Sequence, residues 1–162
     1  IRTNRGAYRT AAVLLAIGRR GTPRKLGAPG EEQPKVVYRL IEAEQYRGKR
    51  VLVVGGGDSA LEAALDVAAE PGTHVTLSYR GKAFDRVKPK NRQRLEAAVA
   101  DERLELAMES SIEKISAEAV TIVCGEKHLD QANDAVIVCA GGELPTPMLK
   151  KIGIKVETHY GR

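Results

Sequence analysis

Residues 50–68 read RVLVVGGGDSALEAALDVA, an apolar run, three glycines and a second stretch with apolar residues at helical spacing. Four consecutive apolar residues, Val51-Leu52-Val53-Val54, closed by glycine, predict a strand buried on both faces, as parallel strands are. After the glycines, Asp58 stands at a helix cap position. Leu61, Ala64, Leu65 and Ala68 then form one apolar stripe that ends at Pro71-Gly72. The turn between them, Gly55-Gly56-Gly57-Asp58-Ser59-Ala60, has the form G-x-G-x-x-A. Gly55 permits a tight exit from the strand, Gly57 lets backbone approach a pyrophosphate without a Cβ in the way, and Ala60 lets helix and strand pack closely. Phosphates would sit at the helix N-terminus, where unpaired N–H groups and the helix dipole favour negative charge. The alternative is a glycine turn that only joins strand to helix, and the flanking elements are the context that favours phosphate binding.

The rest of the chain supplies partners for this unit. Thr10–Ile17 (TAAVLLAI) predicts a buried strand followed by a basic Gly/Pro-rich loop from Arg19 to Gly30. Lys35–Tyr46 predicts a helix. His74–Ser78 predicts a strand, Pro89–Ala100 a helix with proline in its first turn, and Leu104–Met108 another strand. Glu113–His128 has the pattern of a β-hairpin, Asp134–Ala140 that of a last buried strand, and Thr146–Ile152 that of a short helix. Alternating strands and helices indicate an α/β fold, a Rossmann-like doubly wound parallel sheet carrying an antiparallel hairpin or meander insertion.

Charge narrows the chemistry. The 162 residues carry a net +5, concentrated in two islands. Residues 1–25 hold seven basic residues and no acid, and residues 80–94 hold seven basic residues and one acid. The second island opens at the end of the His74–Ser78 strand. A site for NAD places an acid there to hold the ribose 2′-hydroxyl, whereas NADP sites use arginine. The sequence reads Tyr79-Arg80-Gly81-Lys82, with no acid, so Arg80, with Lys82 and Arg86, is the candidate clamp for a 2′-phosphate. NAD stays open as an alternative, as do solvated loop charges. One Phe, five Tyr and no Trp leave no stacking platform for single-stranded nucleic acid, although the 80–94 island could bind a polyanion. No apolar run reaches the ~18 residues of a membrane span.

Other reactive groups are few. Cys124 and Cys139 each end an apolar run and lack metal or Cys-x-x-Cys spacing, as expected of small hydrophobes in a sheet in a reducing, cytoplasmic compartment. His74, His128 and His159 show no relation to one another or to a carboxylate cluster. The Ser59 hydroxyl could bond phosphate or help cap the helix, and Glu143, after the last strand, could approach a nicotinamide. No residue is expected to serve as acid, base, nucleophile or metal ligand.

These residues resemble the NADPH-binding domain of thioredoxin-reductase-like, flavin-dependent pyridine nucleotide oxidoreductases. Gly55–Ala60 is similar to that family's nucleotide turn, and Tyr79-Arg80 to its His-Arg-Arg strand end, with Gly81 in place of the second arginine. Leu15-Ala16-Ile17-Gly18 and Cys139-Ala140-Gly141-Gly142-Glu143-Leu144-Pro145 are similar to the segments that join nucleotide and flavin domains. The Cys-x-x-Cys that thioredoxin reductase carries ahead of the nucleotide strand is missing from residues 36–46. The cysteine-free relatives, thioredoxin-reductase-type ferredoxin–NADP reductases and bacillithiol disulfide reductases, are therefore the closer pattern.

The resemblance implies that NADPH is held by Gly55, Gly56, Gly57, Asp58, Ser59, Ala60, Tyr79, Arg80, Lys82, Arg86 and Gly141, and that the nicotinamide is positioned for hydride transfer to FAD. It also implies a division into a connecting strand and loop (1–34), a nucleotide-binding domain (35–145) and a return connection (146–162). FAD would belong to a second domain absent from this chain, whose start at Ile1 reads as the start of a piece. The piece alone would bind nucleotide without turnover, and its parent could be a homodimer. A nucleotide-sensing module without redox chemistry is the alternative.

Overall fold

The computed structural model describes residues 1–14, 16 and 22–157, which fall into two compact units. In chain order the elements are β1 (Arg2–Thr3), β2 (Gly6–Ala7), β3 (Val36–Val37), β4 (Arg50–Val54), α1 (Asp58–Ala68), β5 (His74–Tyr79), α2 (Pro89–Ala100), β6 (Leu104–Met108), β7 (Ser110–Ile115), β8 (Ala119–Cys124), β9 (Lys127–Ala132), β10 (Ala135–Val138) and α3 (Thr146–Lys151). One unit, residues 1–22 and 143–162, holds the antiparallel β1–β2 pair and α3. The other, Pro23–Gly142, holds everything else. No helix among the described residues is long and apolar enough to cross a membrane.

The larger unit is built on a five-stranded parallel sheet in the order β3-β10-β4-β5-β6. Its central strand is buried on both faces because side chains alternate along it. Val51 and Val53 pack with Val75, Leu77, Ile137 and the apolar stripes of α1 and α2, where Leu61, Ala64 and Leu95 are buried. Fully burying a leucine such as Leu61 contributes about 1.5–3 kcal/mol. Leu52, pointing the other way, packs with Val136 and Val138 against Ile115, Val120 and Ile122 of the antiparallel β7-β8-β9 meander. The fold is thus Rossmann-like, with α1 and α2 on one face of the parallel sheet and the meander on the other.

Two expected elements differ. The described residues of Thr10–Ile17 contain no strand, and Val13 and Leu14 are exposed; Leu15, Ile17 and Gly18 lie outside the described residues. Lys35–Tyr46 is not an α-helix. Its β-branched pair Val36-Val37 instead extends the parallel sheet beside β10, and a single 3-10 turn forms at Glu44–Tyr46. Side chains on either side of this segment serve different cores, Val36 and Tyr38 packing toward the meander and Val37 between them toward the helices. That alternation is a strand period, which the helical reading overlooked.

The N-terminal edge of the sheet is tied by Asp134, just before β10. Its carboxylate accepts hydrogen bonds from the Arg50 backbone N–H at 2.8 Å, Nε at 2.9 Å and Nη2 at 2.6 Å. The paired guanidinium and the backbone donor hold the carboxyl well below the usual carboxylate range. A depressed folded-state pKa adds stability that is present above the unfolded value of about 3.9 and disappears as pH falls toward the folded one. Asp134→Asn is therefore expected to lower the urea midpoint at pH 7, with the gap to the unsubstituted chain narrowing progressively below about pH 4. A gap that is the same at pH 7 and pH 3 would show that the ion pair is not its source.

Candidate functional site

The carboxyl ends of β4, β5 and β10 meet around the glycine turn. Gly55 donates its N–H to the Ser78 carbonyl of β5 at 3.0 Å, and the Cys139 N–H donates to the Val54 carbonyl at 2.7 Å. A Cβ on Gly55 would lie 2.5 Å from the Cys139 carbonyl oxygen and 2.8 Å from the Ala60 Cβ, and its φ is +152°. The first glycine and the alanine of the pattern thus hold β4, α1 and β10 at close range. Beyond β4 the sheet continues to β5 and β6 on one side and to β10 on the other. This is the switch point at which open α/β sheets bind ligands.

Helix α1 begins at Asp58 with Gly57 as its N-cap, and no side chain caps it. The expectation that Asp58 occupies the cap shifts by one residue. Gly57 accepts the Ala60 and Leu61 amides, while the N–H groups of Gly56, Gly57, Asp58 and Ser59 find no acceptor among the described residues. A Cβ on Gly57 would meet nothing within 4 Å. Four free donors at a helix N-terminus, beside an uncluttered glycine, match what a pyrophosphate requires. Ser59 is exposed, leaving its hydroxyl accessible.

The middle glycine has a different reason. A Cβ on Gly56 would lie 2.0 Å from Tyr79 Cε2, and one on Gly81 would lie 2.6 Å from Tyr79 Cε1. The Tyr79 ring stacks on Phe84, with centroids 5.1 Å apart and planes at 16°. The tyrosine therefore lies against the glycine turn and the start of the next loop, and it explains why position 81 carries no side chain. The sequence shows only that the second arginine is missing; the cause is the Tyr79 ring.

The proposed clamp residues follow directly. Arg80, Lys82 and Arg86 are all exposed. Lys82 Nζ lies 3.6 Å from Glu109, a solvent-exposed pair of little energetic weight. Neither Arg80 nor Arg86 has an acidic partner among the described residues. The loop carrying them is anchored by buried Phe84 and Val87 and by Arg92, whose Nη2 donates to the Phe84 carbonyl at 2.6 Å. The Asp58 carboxylate faces this loop, accepting the Lys88 N–H at 3.0 Å and Asn91 Nδ2 at 2.8 Å. Those two donors, the Lys88 amide first, lower its pKa. Asn91 was not singled out in the sequence, because nothing local distinguishes a buried asparagine on a basic helix.

On the far side of the switch point, Gly141 (φ +85°) follows β10 and accepts the Arg24 N–H at 3.0 Å. Cys139 and Cys124 are both free thiols, and partial burial pushes the Cys139 pKa up, which disfavours a reactive thiolate. Glu143 belongs to the smaller unit, where its N–H donates to the Thr22 carbonyl. His128 Nδ1 lies 2.7 Å from Glu113 on the meander, an exposed pairing not foreseen from spacing, and His159 lies outside the described residues.

A parallel sheet in this order, with a glycine turn leaving its central strand, defines a Rossmann-like α/β protein. The profile of the pyridine nucleotide-disulphide oxidoreductase family matches residues 1–161, and the chain belongs to that family. It is 33% identical over its whole length to bacilliredoxin reductase Bdr of Bacillus subtilis (strain 168), of which it covers 50%. Over 77 residues, 48% of the chain and 25% of the relative, it is 42% identical to a ferredoxin–NADP reductase of Ignicoccus hospitalis. The solved bacillithiol disulfide reductase Bdr from Bacillus cereus superposes with a TM-score of 0.80 at 27% identity, covering 87% of this chain and 44% of that one. The chain thus spans about half the length of such relatives.

The Tyr79 packing yields a direct test. Gly56→Ala is expected to cost about 1–3 kcal/mol in urea denaturation, as overpacking does. In the Gly56→Ala/Tyr79→Ala pair the loss should be smaller than the sum of the single losses, because the clash disappears with the ring. Additive losses would contradict the contact.

Proposed function

We propose that this chain is the NADP-binding half of a flavin-dependent oxidoreductase. The observation that carries the reading is the conjunction of two features at one sheet edge. Among the described residues, four amides at the α1 N-terminus beside open Gly57 have no acceptor, and an exposed Arg80 with no acidic partner follows the adjacent strand. In this reading Gly56, Gly57, Asp58 and Ser59 donate their backbone N–H groups to the pyrophosphate, and Gly55 and Ala60 set the approach of helix to strand. Arg80 grips the 2′-phosphate with two parallel hydrogen bonds, and Lys82 and Arg86 add positive potential. Gly141, at the opposite lip of the switch point, leaves room for the nicotinamide end. The nicotinamide supplies a hydride and FAD, held by a second domain of the same protein, accepts it.

In this reading the residues of the chain bind and orient the dinucleotide. The match to a ferredoxin–NADP reductase supports NADP over NAD, and coverage of half of Bdr supports a flavin domain outside this chain. The two free cysteines fit a reducing, cytoplasmic compartment. A homodimer of the parent is part of the same proposal.

Titration of the chain tests the reading. NADP+ should bind about tenfold more tightly than NAD+, a difference of about 1.4 kcal/mol, and Arg80→Ala should bring the two affinities together. Equal affinities in the unsubstituted chain would refute NADP preference, and failure to bind either dinucleotide would refute the site.

A further inference from the structure

The geometry points to Asn91 as a positioning residue that, through Asp58 and the Lys88 amide, holds the arginine-bearing loop 80–88 in register with the phosphate turn. The inference rests on the NADP reading above and adds a specificity determinant to it.

Asp58 and Glu62 stand four residues apart on α1, so their carboxylates are neighbours on one helix face and repel each other. Asn91, with only 6% of its surface exposed, reaches across from α2 and donates Nδ2 to both, at 2.8 Å to Asp58 Oδ1 and 2.9 Å to Glu62 Oε1. Both amide hydrogens are thereby used, and Asp58 Oδ1 is held where it also accepts the Lys88 N–H at 3.0 Å. Lys88 is the N-cap of α2 and the last residue of the loop. At its other end the loop is fixed by the Tyr79–Phe84 stack and by Arg92 on the Phe84 carbonyl. Arg86 lies between Phe84 and Lys88, and Arg80 and Lys82 lie between the stacked Tyr79 and Phe84. Asp58, the first residue of α1, therefore also holds the end of the clamp loop, and Asn91 keeps its side chain in place. A loop ordered before the ligand arrives does not charge its ordering entropy against binding. Released from Asp58, the loop would lose preference for the 2′-phosphate while the pyrophosphate donors stayed intact.

Two substitutions break the circuit at different points. Asn91→Ala removes the amide. Lys88→Pro removes the N–H at a residue whose φ of −57° and ψ of 139° proline adopts readily, and Pro89 already follows. Lys88→Ala keeps the N–H and is the control. Each is titrated with NADP+ and NAD+, and folding is checked by thermal melting. Asn91→Ala and Lys88→Pro should weaken NADP+ about tenfold and NAD+ by less than about twofold, and Lys88→Ala should change the ratio by less than about threefold. If Lys88→Pro is folded and keeps the NADP+ preference, or weakens both dinucleotides equally, the inference is overturned. Should Asn91→Ala fail to fold, the comparison of Lys88→Pro with Lys88→Ala decides alone. A missing NADP+ preference in the unsubstituted chain overturns the NADP reading and this inference with it. A preference that survives both substitutions overturns only this one.

Discussion

Close contact at Gly55 governs the architecture of the larger unit. Its amide is bound to the Ser78 carbonyl of β5, and the space a Cβ would fill is taken by the Cys139 carbonyl after β10 and by Ala60 of α1. One missing side chain thus lets three elements converge on the end of β4. The backbone is drawn tight here, α1 starts directly after the turn, and its first amides find no acceptor among the described residues. The burial of Val51, Leu52 and Val53 holds the strand, and the glycine sets where the helix leaves it. The free donors are a consequence of that packing, with no side chain competing for them.

The basic island at 80–94 divides by function once its partners are known. Arg92 is bound to the Phe84 carbonyl, Arg94 lies 3.7 Å from Asp66, and Lys88 acts through its backbone N–H. These residues organise the loop and the contact between α1 and α2. Arg80 and Arg86 are the guanidinium groups of the island left facing solvent without an acidic partner among the described residues. A sum of charges would have credited all seven basic residues to a polyanion. Arg92 and Arg94 are engaged within the protein, while Arg80 and Arg86 sit in the loop that follows β5, beside the glycine turn.

Much of this was legible in the sequence where the signal is local. The valine run, the glycine turn, the α1 stripe and the α2 start at Pro89 are each set by neighbours within a few residues, and they appear where expected. The pattern failed at residues 35–46, whose conformation depends on pairing with β10, about a hundred residues further along the chain. At the site, the role of Gly56 was hidden because the ring that demands it belongs to Tyr79 on another strand. Asp58 was read as a cap from its position, but its carboxylate is claimed by Lys88 and Asn91, contacts that exist only after α1 and α2 pack. Local chemistry named the turn; tertiary packing decided what each of its side chains does.

In the proposed function the α1 N-terminus receives the phosphates of a dinucleotide. Amide NMR of the 17.5 kDa chain tests it most directly. On addition of NADP+, the account predicts the largest shifts at the backbone N–H groups of Gly56, Gly57, Asp58 and Ser59, with Arg80 and Gly81 next. Saturable shifts confined to the meander or to the amino edge of the parallel sheet, with those four amides unmoved, would contradict it.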